Sequence, residues 1–159
     1  MPFSREEIQA AFDRYRAAAN EAGRSGDWQP WVKCFTPDVH YIEHLYGDFH
    51  GREDVLAWIT KTMGDWPFTH MQLFPWDWYT IDADQGWVIG QLRNDFIDPG
   101  DGVTYGAANW TRLVYAGDGQ FASEEDIYNP AEFAPAVDQW LAAWSLHHPD
   151  EATGATPGD

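Results

Sequence analysis

Cysteine is nearly missing from this chain. Cys34 is the only one, which excludes an internal disulfide. Its apolar neighbours in "WVKCF" predict a buried, inert thiol, and a cytoplasmic protein is expected. Positive charge is also scarce: nine Lys/Arg against 26 Asp/Glu leave a formal charge of −17. So acidic a surface is repelled by phosphate backbones and anionic lipid, which excludes nucleic acid and membrane surfaces as expected partners. No apolar run is long enough to span a bilayer. The opening "MPFSREEIQAAFDRYRAAAN" lacks the apolar core of a signal peptide. A phosphate-binding glycine loop is missing too, because "GDG" and "DPGDG" have no strand-to-helix context, so no cofactor is expected. His40 and His44 share one side of a strand without a third ligand at suggestive spacing. His50 and His70 stand alone, and His147-His148 falls near the end. No metal is expected.

Aromatic rings, by contrast, are abundant: ten Trp, nine Phe and seven Tyr in 159 residues. The apolar and charged fractions, 44 % and 22 %, are those of a globular chain, and the length suits one domain. A core of ordinary thickness does not hide that many rings. Some are expected to line a ligand cavity or a subunit interface. Trp76, Trp78, Trp87 and Trp110 fall in strand-like runs and are candidates for both, with Trp76 and Trp78 taken as pocket walls.

Ser4 and Glu7 form a capping-box pattern, and Ile8, Ala11, Phe12, Tyr15 and Ala19 follow at helical spacing. The first helix is expected from about Arg5 to Ala22, stopped by Gly23. "DWQPWVKCF" suggests a short second helix, "VHYIEHLYG" a strand and "GREDVLAWITKTMG" a third helix. Four strand-like runs follow, "HMQLFPWDWYTI", "GWVIGQLRNDFI", "VTYGAANWTRLVYA" and "QFASEEDIYN", joined by hairpin-type turns. They predict an antiparallel meander. Asn129, Pro130 and Glu132 open a last helix with Phe133, Val137, Trp140, Leu141 and Trp144 on one face. Residues 1–146 are expected to form a single domain and 147–159 a disordered tail. Helices segregated to one face of a mostly antiparallel sheet make an α+β fold. A curved sheet closed by helices encloses a cone whose open end suits a small apolar ligand.

One strand poses a question. Counting by two along "GWVIGQLRNDFIDPGDG" puts Trp87, Ile89, Gln91, Arg93, Asp95 and Ile97 on one face. An arginine and a carboxylate among large apolar groups are either a structural ion pair or part of a pocket.

The patterns "W..CFTPDV.Y.E", "GDFHGREDV" and "Y.GDGQF..E.DIYNP.EF" resemble the SnoaL-like branch of the nuclear transport factor 2-like superfamily, over about Arg5 to Trp144. The resemblance implies a cystatin-like cone, a small hydrophobic ligand and a homodimer through the outer sheet face. "LRNDF" and "DIYNPAEF" are similar to segments of limonene-epoxide hydrolase. That similarity implies an Asp-Arg-Asp triad of Asp95 as acid, Arg93 between, and Asp126 as base, with Tyr41 holding water. "RYRAAAN" is similar to the first helix of ketosteroid isomerases. It places Tyr15 at their oxyanion tyrosine, Glu43 at their general base, and Asn109 or Thr111 where they have a second donor. Tyr128 joins the expected pocket lining.

The leading expectation is therefore a cofactor-independent hydrolase acting through Arg93, Asp95 and Asp126. An isomerase, polyketide cyclase or dehydratase using Glu43 and Tyr15 is the alternative. A non-catalytic binder of an apolar metabolite is the reading from a different class.

Overall fold

The computed structural model describes residues 3–151. Helix α1, Arg5–Ser25, begins as the capping box predicts, with the Ser4 hydroxyl accepting from the Glu7 N–H. It buries Ile8, Ala11, Phe12, Tyr15 and Ala19 along one stripe. It does not stop at Gly23. The left-handed cap is Gly26, at φ 78°, and Gly23 serves a close approach instead. A Cβ there would lie 2.8 Å from the Gln72 carbonyl oxygen and 2.7 Å from the Phe74 ring.

A single turn, α2 (Gln29–Val32), leads into β1 (Phe35–Glu43). Strand β2 (Gly47–His50), which the sequence did not announce, folds back on β1. Helix α3 (Arg52–Gly64) and a short 3-10 turn precede β3 (Trp76–Asp82), β4 (Trp87–Asp95), β5 (Gly106–Gly117) and β6 (Gln120–Ile127). Strands β3 to β6 form the expected antiparallel meander. Strand β1 joins β6 in parallel, giving one six-stranded sheet of order β2-β1-β6-β5-β4-β3.

Register shifts interrupt three ladders. The one in β6 matters most. Val114 faces Ser123 but Tyr115 faces Phe121, which leaves Ala122 as an extra residue. Such a bulge bends its strand and changes the phase of the side chains beyond it. Phe121, Glu124 and Asp126 consequently all point to the same, concave side.

Helix α4 (Pro130–His147) closes that side. Asn129 caps it by accepting from the Ala131 N–H. Trp140 stacks on Phe96 with ring centroids 4.7 Å apart and donates to the Ile97 carbonyl at 2.8 Å. The expected tail from residue 147 overlaps this helix, since α4 includes His147, and the His148 ring stacks on Trp144. The remainder of that tail, 152–159, lies outside the described residues. No described helix is long and apolar enough to cross a membrane.

Candidate functional site

The concave sheet face and the helices line an open-mouthed cavity of about 460 Å³, within the range of small-molecule sites. Trp28, Trp31, Trp58, Trp76, Phe68 and Phe74 supply most of its apolar wall. Helix α4 contributes Phe133, Val137 and Asp138 at one side. The floor is different. Strand pairing sets polar groups in two adjacent rungs: Tyr41 opposite Glu124 opposite Leu113, and Glu43 opposite Asp126 opposite Thr111.

These groups form a connected network. The Asp126 carboxylate accepts from the Thr111 hydroxyl at 2.6 Å, the Asn109 amide at 3.1 Å and the Tyr41 hydroxyl at 2.5 Å. Asn94 donates to the Asn109 carbonyl at 2.5 Å, which orients that amide. The Tyr15 hydroxyl lies 2.9 Å from both oxygens of Glu124, and the Tyr41 hydroxyl 3.1 Å from Glu124 Oε1. Glu124 is 1 % exposed and Asp126 8 %.

Counting protons assigns the charges. Tyr41 has one hydroxyl proton and two carboxyl neighbours. It donates to the nearer one, Asp126. Its contact with Glu124 is then a hydrogen bond only if Glu124 is protonated and donates to the Tyr41 oxygen. Electrostatics point the same way. Burial, reinforced by the charge of Asp126, pushes the Glu124 carboxyl well above the usual range. Burial also lifts Asp126, to about 6, but the Thr111 and Tyr41 hydroxyls favour its ionised form. At neutral pH the floor thus holds one acid, Glu124, and one base, Asp126, joined through Tyr41. Burial and the neighbouring carboxyl groups raise both phenols, Tyr15 and Tyr41, so they remain donors.

Glu43 is buried at the turn out of β1, where its oxygens accept from the backbone N–H groups of Leu45 and Tyr46 at 3.3 and 3.2 Å. The Tyr128 hydroxyl is raised mainly by burial and secondarily by Glu43. Both residues line the cavity.

Of the residues predicted from sequence, Tyr15, Tyr41, Glu43, Asp126, Trp76, Asn109 and Tyr128 line this cavity. Thr111 stands just behind it, holding Asp126. Three expectations are corrected. Arg93 and Asp95 are paired, with Arg93 Nε and a terminal nitrogen donating to Asp95 at 2.8–3.1 Å. They nevertheless lie on the convex face, because Leu92 and Asn94 occupy the inward positions of β4. Asp95 packs over Gly106, where a Cβ would meet its carboxylate at 2.0 Å. Asp126 belongs to the other face and makes no bond to Arg93. The Asp-Arg-Asp triad is therefore not assembled, and the charged pair is structural. Trp78 is the third correction. It is exposed on the convex face, edge-on to Trp110.

Two functional residues escaped the sequence. Glu124 lies two positions before Asp126, and the same-face rule applied backward from Asp126 would have found it. Asn94 sits between Arg93 and Asp95, one step out of phase with them.

The chain matches the family model of the SnoaL-like domain over residues 5–124. No curated relative matches it. Among solved structures it is similar to an NTF2-like protein from Anabaena variabilis, at 16% identity and TM-score 0.63, covering 81% of this chain and 94% of that one. A Mycobacterium tuberculosis LEH-like epoxide hydrolase is similar at 11% identity and TM-score 0.63, covering 89% and 96%. So is a Catenulispora acidiphila protein with a ketosteroid isomerase-like fold, in complex with trimethylamine, at 15% identity and TM-score 0.62, covering 80% and 92%. At these identities the structures establish the fold and not the reaction. The family match spans three quarters of the chain, so the chain belongs to the SnoaL-like family, and its curved six-stranded sheet shares the fold of NTF2-like proteins.

Proposed function

We propose that the protein is a cofactor-independent acid–base enzyme acting on a small, largely apolar molecule, of isomerase or cyclase type, with Asp126 as general base. One observation carries the reading. The Asp126 carboxyl, held by three donors, is linked through the Tyr41 hydroxyl to the buried Glu124 carboxyl, on the floor of an apolar cavity. A base with a pKa of about 6 is poised for proton transfer near neutrality. Taking a proton from a substrate carbon moves the negative charge from Asp126 to the substrate's enolate oxygen, so that charge has to be met by hydrogen-bond donors in the same cavity. Asp126 then returns the proton at a second position, and Glu124 remains the acid that steadies negative charge in the network. Glu43, the β1 partner of Asp126 in the same rung, is a further carboxyl group within the cavity.

A second reading has its own support. Rings and carboxylates line the cavity, and none of its lining residues is Lys, Arg or His. Such a wall suits an organic cation, and one structural neighbour was solved with trimethylamine. On this reading the protein binds an amine without turning it over.

The test is a panel of β,γ-unsaturated ketones, small epoxides and alkylamines, followed for turnover and for quenching of cavity tryptophans. Asp126→Asn should lower ketone turnover by about 10²–10⁴-fold and leave quenching intact. Quenching by amines with no turnover of any compound would replace the enzyme reading with the binder. Epoxide opening without ketone isomerisation would make water the proton source and the protein a hydrolase.

A further inference from the structure

On the convex side of the sheet, strand β2 completes a cluster that β1 alone does not contain. His40 and His50 are direct cross-strand partners, and Asp48 lies two residues before His50, hence on the same face. Their possible ligand atoms all lie within 4.8 Å of one another. His40 Nε2 is 3.0 Å from Asp48 Oδ2, and the two imidazoles stack with centroids 4.5 Å apart.

We propose that His40, Asp48 and His50 bind one divalent transition metal of the zinc type. Zinc binds nitrogen and carboxylate oxygen at about 2.0–2.1 Å, so neighbouring ligands at a tetrahedral site stand about 3.3 Å apart. The His40–Asp48 spacing already approaches this value. The remaining gaps close by side-chain rotation of Asp48 and His50, both exposed, at the expense of the ring stacking. Two imidazoles and a carboxylate select zinc, cobalt or nickel over calcium and magnesium, which prefer all-oxygen sites. Three protein ligands leave a fourth position for water. The backbone beneath is fixed by the β1–β2 ladder, which pairs His40 with His50 and Ile42 with Asp48. Among the described ion pairs, Asp48 has only His40 as a partner, and the chain's charge of −17 draws cations to its surface. His44, turned toward Glu125 at 3.4 Å, stands apart from the cluster.

None of the three residues lines the cavity, so the test reads metal binding and not turnover. Calorimetric titration of the full, tag-free chain with zinc chloride should show one saturable site. His40→Ala and His50→Ala should each weaken it at least tenfold, and Asp48→Asn should weaken it less. Zinc should raise the melting temperature of the parent chain and leave that of His50→Ala unchanged. Calcium and magnesium should give no saturable heat. The proposal is overturned if zinc shows no saturable binding. It is equally overturned if both histidine variants bind like the parent, which would put the metal elsewhere, for example at His147-His148.

Discussion

Asp126 carries a cost that can be measured. Its carboxyl is lifted from an ordinary 3.8 to about 6 in the folded chain, while the unfolded chain leaves it near its ordinary value. A group with a raised folded pKa stabilises fully only below its unfolded pKa, and that contribution is lost as pH rises through the folded pKa. Between pH 5 and pH 8 the loss from Asp126 is roughly 1.4 kcal/mol, from integrating proton uptake over that interval. Asp126→Asn removes the ionisation and keeps the shape. The stability of the variant minus that of the parent should therefore rise by about this amount from pH 5 to pH 8. Glu124 acts in the same direction, because the charge of Asp126 helps to raise it. Urea unfolding of both proteins at half-unit intervals, followed by tryptophan fluorescence, measures the difference directly. Every other titrating group cancels to first order. A difference that stays flat across the window, or falls with pH, would refute the assignment of a buried, ionised Asp126.

Three further outcomes are expected. Thr111→Val removes one donor from Asp126, so the acid limb of the pH–rate profile should move upward, by about one unit. Arg93→Met should leave kcat unchanged per folded molecule, yet cost about 1–3 kcal/mol in urea unfolding, because it strands the buried Asp95 carboxylate. Gly23→Ala should destabilise by more than about 2 kcal/mol in the same assay, although alanine is the better helix former by about 1 kcal/mol. The new methyl would press on the Gln72 carbonyl, which is backbone and cannot turn away.

Elements with strong punctuation were legible in the sequence: the Ser4–Glu7 start of α1, the Asn129–Pro130 start of α4 and the hairpin turns of the meander. Strand β2 was not. Its four residues, Gly47–His50, include a glycine and too short an alternation to signal a strand, and β1 supplies the pairing that makes it one. Along β4 the alternation is plain in the sequence, but which face turns inward is not. Trp87 and Ile89 on one side and Val88 and Leu92 on the other are equally apolar, so hydrophobicity did not choose between Arg93 and Asn94. In β6 the bulge concealed the phase. Counted by two from Phe121, Ser123 and Glu125 would face the core, whereas the structure turns Glu124 and Asp126 there. Tyr15, Tyr41, Glu43 and Asp126 were found because each sits in a quoted motif and happens to fall on the inward parity.

That one surplus residue, Ala122, has a geometric corollary. Excising it would leave an unbroken zigzag in which Phe121, Glu124 and Asp126 still project inward, since the present kink merely absorbs an odd step. What would vanish is the local bend, and with it part of the room between floor and lid. The room in the cavity and the chemistry proposed for its floor thus depend on separate features of the same ribbon. Shortening it changes the volume of the cavity, and replacing Glu124 or Asp126 changes the polar network of its floor.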